Sequence, residues 1–90
     1  MQYAKIVGNR FRPTECQEAF MALEPGDPLV LRKEPENPYD AEAIKVETPE
    51  GLHLGYIPRT DTPRWNPHFE DTLKVEFEAG ERVYSPDLGD

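Results

Sequence analysis

The chain has 90 residues, of which 37% are hydrophobic, and a formal net charge of −8. This length supports one domain with one modest core, and the short apolar runs are typical of a folded chain rather than a disordered one. The acidic balance excludes a protein that coats nucleic acid non-specifically, because such affinity comes largely from neutralising phosphates. No apolar run reaches the length of a membrane span, and no signal peptide is expected. The single cysteine, Cys16, excludes an internal disulfide and predicts a cytoplasmic location.

The first half of the chain is predicted to form a strand, a helix and a second strand. Residues 3–7 alternate as a strand, and residues 13–27 are predicted to be helical. Thr14 and Gln17 have the spacing of a capping box, and Pro25-Gly26 ends the helix. The second strand is "PLVLRK". The helix is expected to bury a stripe made by Cys16, Ala19, Phe20 and Leu23.

The second half continues with strands. "AIKVET" and "LHLGYIP" are predicted to pair as a hairpin. Two prolines make a long helix unfavourable in residues 60–71, which are expected to be irregular and anchored by Trp65 and Phe69. "TLKVEFE" alternates as a fifth strand, and a short last strand follows at Val83-Tyr84.

The predicted fold is therefore mainly β, with one or two short helices and five or six strands in a small, OB-like, partly open β-barrel. The predicted domain covers residues 1–84, and residues 85–90 are predicted to be a flexible tail.

Four blocks of the sequence stand at the ends of the predicted strands. The block "GNRF" at 8–11 follows the first strand, and "GDPLVL" at 26–31 enters the second. The block "EPENPYDAEAIKV" at 34–46 joins the second strand to the third, and "GYIPR" at 55–59 ends the fourth. Together these blocks resemble the HIRAN domain family, in its small stand-alone bacterial or phage type. The resemblance covers roughly residues 4 to 60.

The resemblance implies a modified OB-type barrel and a module that grips the 3′ end of single-stranded DNA. In such a site, aromatic rings stack on the last bases and an aspartate meets the terminal 3′-hydroxyl. The setting it implies is DNA repair, replication or phage DNA metabolism. The positions that match the family's DNA-binding residues are Arg10, Phe11, Asn37, Tyr39, Asp40, Tyr56 and Arg59.

Elementary chemistry is consistent with these assignments. An exposed ring stacks on any base. A carboxylate repels a phosphate but accepts a hydrogen bond from a hydroxyl, so Asp40 would select a free 3′-hydroxyl. Asn37 offers donors to phosphate or base edges, and Arg10 and Arg59 would neutralise phosphates.

Each candidate also has a purely structural interpretation, which the sequence leaves open. Asp40 is a suitable N-cap for a helical turn, and Asn37-Pro38 is a common turn former. Rings at the other candidate positions, above all Tyr56, would serve equally well in a core. No metal-ligand spacing, phosphate-binding loop or nucleophile–base pair is present, so neither a metal, a cofactor nor an enzyme is predicted.

Two features depart from the family pattern. The charge of −8 requires that Arg10, Arg12, Arg59 and Arg64 form a local positive groove if DNA is to bind. The prolines after Arg59 interrupt a helix that the family usually has, and leave open whether Trp65 or Phe69 replaces the family's later aromatic or only closes the barrel.

The charge also sustains an alternative function. In this alternative, an acidic protein-interaction module keeps the barrel and docks a basic protein partner, such as a helicase, a nuclease or another DNA-binding protein.

Overall fold

A computed structural model describes residues 2–78 and 80–86. None of the helices in this part of the chain has the length and apolar character needed to cross a membrane. In chain order the elements are β1 (Gln2–Lys5), a first 3₁₀ turn (Asn9–Phe11), α1 (Thr14–Met21), β2 (Pro28–Lys33), β3 (Ile44–Glu47), β4 (His53–Tyr56), α2 (Thr62–Trp65), a second 3₁₀ turn (Asn66–His68), β5 (Thr72–Glu78) and β6 (Arg82–Ser85).

The strands form one antiparallel sheet in the order β1-β6-β5-β2-β3-β4, which includes the predicted β3–β4 hairpin. The sheet curls until the chain just after β1 meets β4. There, the backbones of Val7 and Tyr56 exchange two hydrogen bonds of 2.8 Å each. We call this contact the seam. The predicted mainly β, partly open barrel is confirmed.

The seam depends on a glycine in β4. A Cβ atom on Gly55 would lie 2.5 Å from the carbonyl oxygen of Val7, which is closer than a side chain can approach. The absence of a side chain at Gly55 therefore lets the chain after β1 cross β4 and close the curl.

The core lies inside the curl and is built from the alternating inward residues of the strands. Leu29 and Leu31 of β2, for example, are almost completely buried. Residues 60–71 are not irregular as predicted, because they contain α2 and the second 3₁₀ turn. Trp65 is 0% exposed and Phe69 is 9% exposed, so the prediction that these two rings anchor the segment is confirmed. Pro63 lies in the first turn of α2, where its missing N–H has no helical partner to lose.

The first helix is shorter than predicted and begins differently. Pro13 is its N-cap and Thr14 is already helical, so the predicted capping box is wrong. Gln17 instead donates to the backbone carbonyls of Arg10 and Arg12, at 3.2 and 2.7 Å, which ties α1 to the first 3₁₀ turn. The predicted stripe is confirmed: Cys16 is buried, and the other three members, Ala19, Phe20 and Leu23, pack against the core.

The last strand extends one residue beyond the predicted domain boundary at 84. Ser85 ends β6 and is buried, and its partner across the sheet is Gln2, the first residue of β1. Residues 87–90 of the predicted tail lie outside the described residues.

Candidate nucleic-acid interface

Five of the seven predicted site residues line one surface pocket beside the loop that joins β2 to β3. The pocket has a volume of about 280 Å³ and lies where this loop meets the end of β4. The buried side chains of Ala43 and Ile57 complete its lining. The five predicted residues are Asn37, Tyr39, Asp40, Tyr56 and Arg59.

The loop is held in shape by its own polar side chains. The Asn37 side-chain oxygen accepts hydrogen bonds from the backbone N–H groups of Tyr39 and Asp40, at 2.8 and 3.1 Å. Asp40 Oδ1 accepts one from the N–H of Glu42, at 2.9 Å. Asn37 is thus a turn former, as its structural interpretation proposed, and Asp40 caps a turn that does not continue into a helix.

The fixed loop presents an aromatic ring to solvent. The Tyr39 side chain is 90% exposed although the backbone beneath it is hydrogen-bonded, so the core interpretation of this ring is excluded. A large ring that stays in water does not contribute the stabilisation of about 1.5–3 kcal/mol that its burial would give. Its face is therefore available for a ligand without any rearrangement of the loop.

A carboxylate that sequence reasoning did not assign joins the loop to β4. Glu34 Oε1 accepts hydrogen bonds from Asn37 Nδ2, at 2.7 Å, and from the Tyr56 hydroxyl, at 3.0 Å. Burial, together with this bond and the charge of Glu34, raises the pKa of Tyr56. Tyr56 is half-buried and stays protonated as the donor. Glu34 stands first in the "EPENPYD" block, but its contact with Tyr56 depends on the end of β2 lying near β4, which a single sequence does not reveal.

A long ion pair joins two residues that line the pocket. Arg59 Nε lies 3.8 Å from Asp40 Oδ2, and the arginine side chain is almost fully exposed. Asp40 Oδ2 therefore remains able to accept a hydrogen bond from a ligand hydroxyl. Among the described residues that line the pocket, Arg59 is the one cation, and the loop also carries the exposed carboxylates of Glu36 and Glu42.

The remaining two predicted residues lie on the other side of the seam. Arg10 and Phe11 line a second depression, of about 530 Å³, which includes Val7, whereas the Tyr39 pocket includes its partner Tyr56. Phe11 is 76% exposed, which excludes a core role, and the Arg10 guanidinium carbon is 4.8 Å from its ring centre. The two groups of predicted residues thus flank one contact instead of forming one pocket.

Two of the four arginines that the sequence suggested for a positive groove make hydrogen bonds within the protein. Arg12 Nε donates to the carbonyl of His53 at 3.0 Å, and this bond fixes the first 3₁₀ turn against β4. Arg64 donates to the carbonyl of Tyr3 at 2.9 Å and lies 3.6 Å from Asp61. Arg10 and Arg59 are both exposed at the candidate interface, whereas Arg12 is half-buried.

The ring of His53 packs edge-on against Tyr56, with ring centres 4.8 Å apart. Burial, and then the positive charge of Arg12, lower the pKa of His53 below its ordinary value of 6.5, although its hydrogen bond to the Gly55 carbonyl opposes this. Folding therefore favours the neutral ring, whereas the unfolded chain takes up a proton near pH 6.5.

We accordingly expect the free energy of unfolding to fall as the pH decreases through 6.5, and this His53 contribution to level off below the folded pKa. Denaturant titrations one pH unit above and one below 6.5 would measure the fall. His53→Gln should reduce it, and His68→Gln, which changes an exposed histidine, should leave it intact. An equal fall in the two variants would contradict the assignment of this pH dependence to His53.

Within residues 2–78 and 80–86, no three His, Cys, Asp or Glu side chains are placed to hold a metal ion. The sequence matches the family model of the HIRAN domain over residues 1–87. The chain belongs to the HIRAN family. HIRAN domains are known in general as DNA-binding modules. No curated protein matches this sequence significantly.

Two solved structures share the fold of this HIRAN domain. A protein from Lactobacillus plantarum superposes with a TM-score of 0.73 at 22% identity, over 92% of this chain and 85% of the other. The HIRAN domain of human HLTF superposes with a TM-score of 0.55 at 17% identity, over 97% of this chain and 78% of the other. The OB-like architecture of the barrel is thereby confirmed.

The family pattern left the role of two aromatic residues open. In this HIRAN domain, Trp65 and Phe69 are buried in the core, and the Lys33 ammonium lies 5.1 Å from the Phe69 ring centre. Neither ring offers a free face to a ligand, so both close the barrel. The exposed rings at the interface are Tyr39 and Phe11.

Proposed function

We propose that this HIRAN domain binds the 3′ end of single-stranded DNA at the Tyr39 pocket, as a binding module without catalytic activity. The observation that carries the proposal is the pairing of an exposed ring, Tyr39, with an adjacent carboxylate, Asp40, on a loop fixed by Asn37. The ring supplies a stacking face for a terminal base, and such stacking contributes about 1–3 kcal/mol per base.

The charges around the pocket favour an end that carries a hydroxyl over one that carries a phosphate. Four carboxylates lie in the loop, Glu34, Glu36, Asp40 and Glu42, against the single cation Arg59. A terminal phosphate placed here would be repelled, whereas a hydroxyl can donate to Asp40 Oδ2. The same acidic loop also disfavours binding along the middle of a strand. Recognition of an end therefore suits an acidic protein better than coating of a strand does.

The proposal is tested by the fluorescence anisotropy of labelled single strands at low salt. We expect tight binding to a 3′-hydroxyl end, weak binding to a 3′-phosphate end and weak binding to a circular strand. Asp40→Asn should reduce the preference for the hydroxyl end, because it removes the charge that repels a phosphate. It should preserve the loop, because the amide oxygen still accepts the N–H of Glu42. Equal affinity of the wild type for all three strands would overturn end recognition.

A second candidate function is supported by a different surface. A groove of about 450 Å³ separates α1 from the β3–β4 turn, and its walls are largely apolar. Residues 13–31 contain four acidic residues and no basic one, and Glu50 lies in the turn opposite. An apolar groove with an acidic rim suits a basic segment of a protein partner, such as a helicase or a nuclease. Its apolar lining is formed by Ala19, Ala22, Leu23, Pro28, Pro49 and Leu52.

The two candidates differ in their response to the same titration. DNA-end binding should weaken as salt is added, and it requires the Tyr39 pocket. If none of the three strands binds at low salt, the DNA proposal fails and a basic protein becomes the expected ligand. The cytoplasmic setting, and the role in repair, replication or phage DNA metabolism, remain part of the proposal.

A further inference from the structure

A row of three side chains leads from the Tyr39 pocket across the outer face of the sheet. Tyr56 of β4 is directly paired with Lys45 of β3, and Lys45 is directly paired with Arg32 of β2. Directly paired residues of antiparallel strands point to the same face, with their Cβ atoms about 4.5–5.5 Å apart. One end of the row is therefore a wall of the pocket, and the other end lies two strands away.

Two cations at directly paired positions repel each other, and one carboxylate holds both of them in place. Glu47 Oε1 lies 2.9 Å from Arg32 Nε, and Glu47 Oε2 lies 3.2 Å from Lys45 Nζ. Burial alone would raise the pKa of Glu47, but the hydrogen bonds from Arg32 and Lys45 outweigh it and lower the pKa. The carboxylate is thus ionised, and the group of three carries one net positive charge.

The positive charges are at the surface and the negative charge is beneath them. The side chains of Arg32 and Lys45 are 42% and 24% exposed, whereas that of Glu47 is 9% exposed. Asp71 lies 3.6 Å from Arg32 Nη1, beyond hydrogen-bonding distance, and its side chain is 75% exposed to water. Arg32 uses Nε for Glu47, so the N–H groups of its two terminal nitrogens keep donors for another anion.

We propose that this row binds the phosphates of the nucleotides that precede a 3′ end held in the Tyr39 pocket. The inference rests on the proposed function, and it gives the bound strand a direction across β3 toward β2. Two strand spacings are about 10 Å. At the rise of about 3.4 Å per stacked nucleotide, this distance corresponds to roughly three nucleotides. Glu47 holds the two cations in position before the strand arrives.

The test compares a dinucleotide, which is too short to run along the row, with a dodecanucleotide, both labelled and both with a 3′-hydroxyl end. The wild type should bind the longer strand several-fold more tightly. Lys45→Gln should remove most of this gain in affinity and leave the affinity for the dinucleotide unchanged. It should also reduce the slope of log affinity against log salt by about 0.7, the value for one phosphate contact in a single strand. Lys45→Arg should retain the gain.

A matched control removes the same charge from another strand. Lys74 is exposed on β5, where it is paired with Val30 rather than with a member of the row. Lys74→Gln should leave both affinities unchanged. Circular dichroism and thermal unfolding would verify that each variant is folded, which is expected because these lysines are outside the core.

The outcomes separate this inference from the proposed function. If the wild type does not distinguish a 3′-hydroxyl from a 3′-phosphate dinucleotide, the proposed function is overturned and the strand path fails with it. If that preference holds, the strand path alone is overturned by any of three results. The first is equal affinity of the wild type for the two strand lengths. The second is an equal loss of affinity in Lys45→Gln and Lys74→Gln. The third is a loss of affinity in Lys45→Gln that is the same for both strand lengths.

Discussion

Tyr39→Ala is expected to weaken the binding of a 3′-hydroxyl single strand by about 5- to 150-fold. This range is the ratio that corresponds to about 1–3 kcal/mol for the loss of one stacked base. The stability of the domain should change by less than about 0.5 kcal/mol, because the ring is 90% exposed and supports no core contact. Anisotropy measurements on the DNA and denaturant titrations of the protein would provide the two values.

The control is Tyr39→Phe, which keeps the stacking face and removes the hydroxyl. It should bind almost as tightly as the wild type. Two results would exclude Tyr39 as the stacking residue: unchanged binding in Tyr39→Ala, or equal weakening in the two variants. A large loss of stability in Tyr39→Ala would instead show that the ring supports the loop.

Trp65→Ala is expected to lower the free energy of unfolding by about 3–5 kcal/mol, the usual cost of removing a large buried ring. The total stability of a domain is only about 5–15 kcal/mol. The substitution should therefore leave the protein marginally folded. Trp65 is 0% exposed and belongs to the single core cluster of the described residues. Denaturant titration followed by far-ultraviolet circular dichroism would measure the effect.

Trp65→Phe provides the comparison. The indole N–H of Trp65 is buried and has no hydrogen-bond partner in the described part of the chain. A phenylalanine leaves a smaller void than alanine and removes this unpaired donor, so its cost should be well below that of Trp65→Ala. Equal costs for the two variants would mean that the packing around the ring contributes little.

Much of the fold could be predicted from local patterns. The alternation of "PLVLRK" and "TLKVEFE" indicated strands with one buried face, and the prolines of residues 60–71 excluded a long helix. The beginning of α1 could not be predicted in this way. The spacing of Thr14 and Gln17 is that of a capping box, but Gln17 makes longer-range bonds to Arg10 and Arg12 that compete with the local motif.

The candidate site was predictable to the extent that it lies in one segment. Asn37, Tyr39 and Asp40 are consecutive or nearly so, and their turn is made by contacts within the loop. The role of Glu34 depends on its contact with Tyr56, and the position of Phe11 depends on the pairing of Val7 with Tyr56. These contacts join parts of the chain that are far apart in sequence, and no local pattern encodes them.

The seam between Val7 and Tyr56 has a consequence for the order of folding. It joins the beginning of the sheet-forming chain to its fourth strand, and contacts over such long sequence distances generally form late, because the loop between them must first be closed. The β3–β4 hairpin joins neighbouring parts of the chain and can form before the seam. Arg10 and Phe11 come to lie beside Tyr56 only when the seam has closed, so the complete interface should exist only in a fully folded chain and not in a folding intermediate.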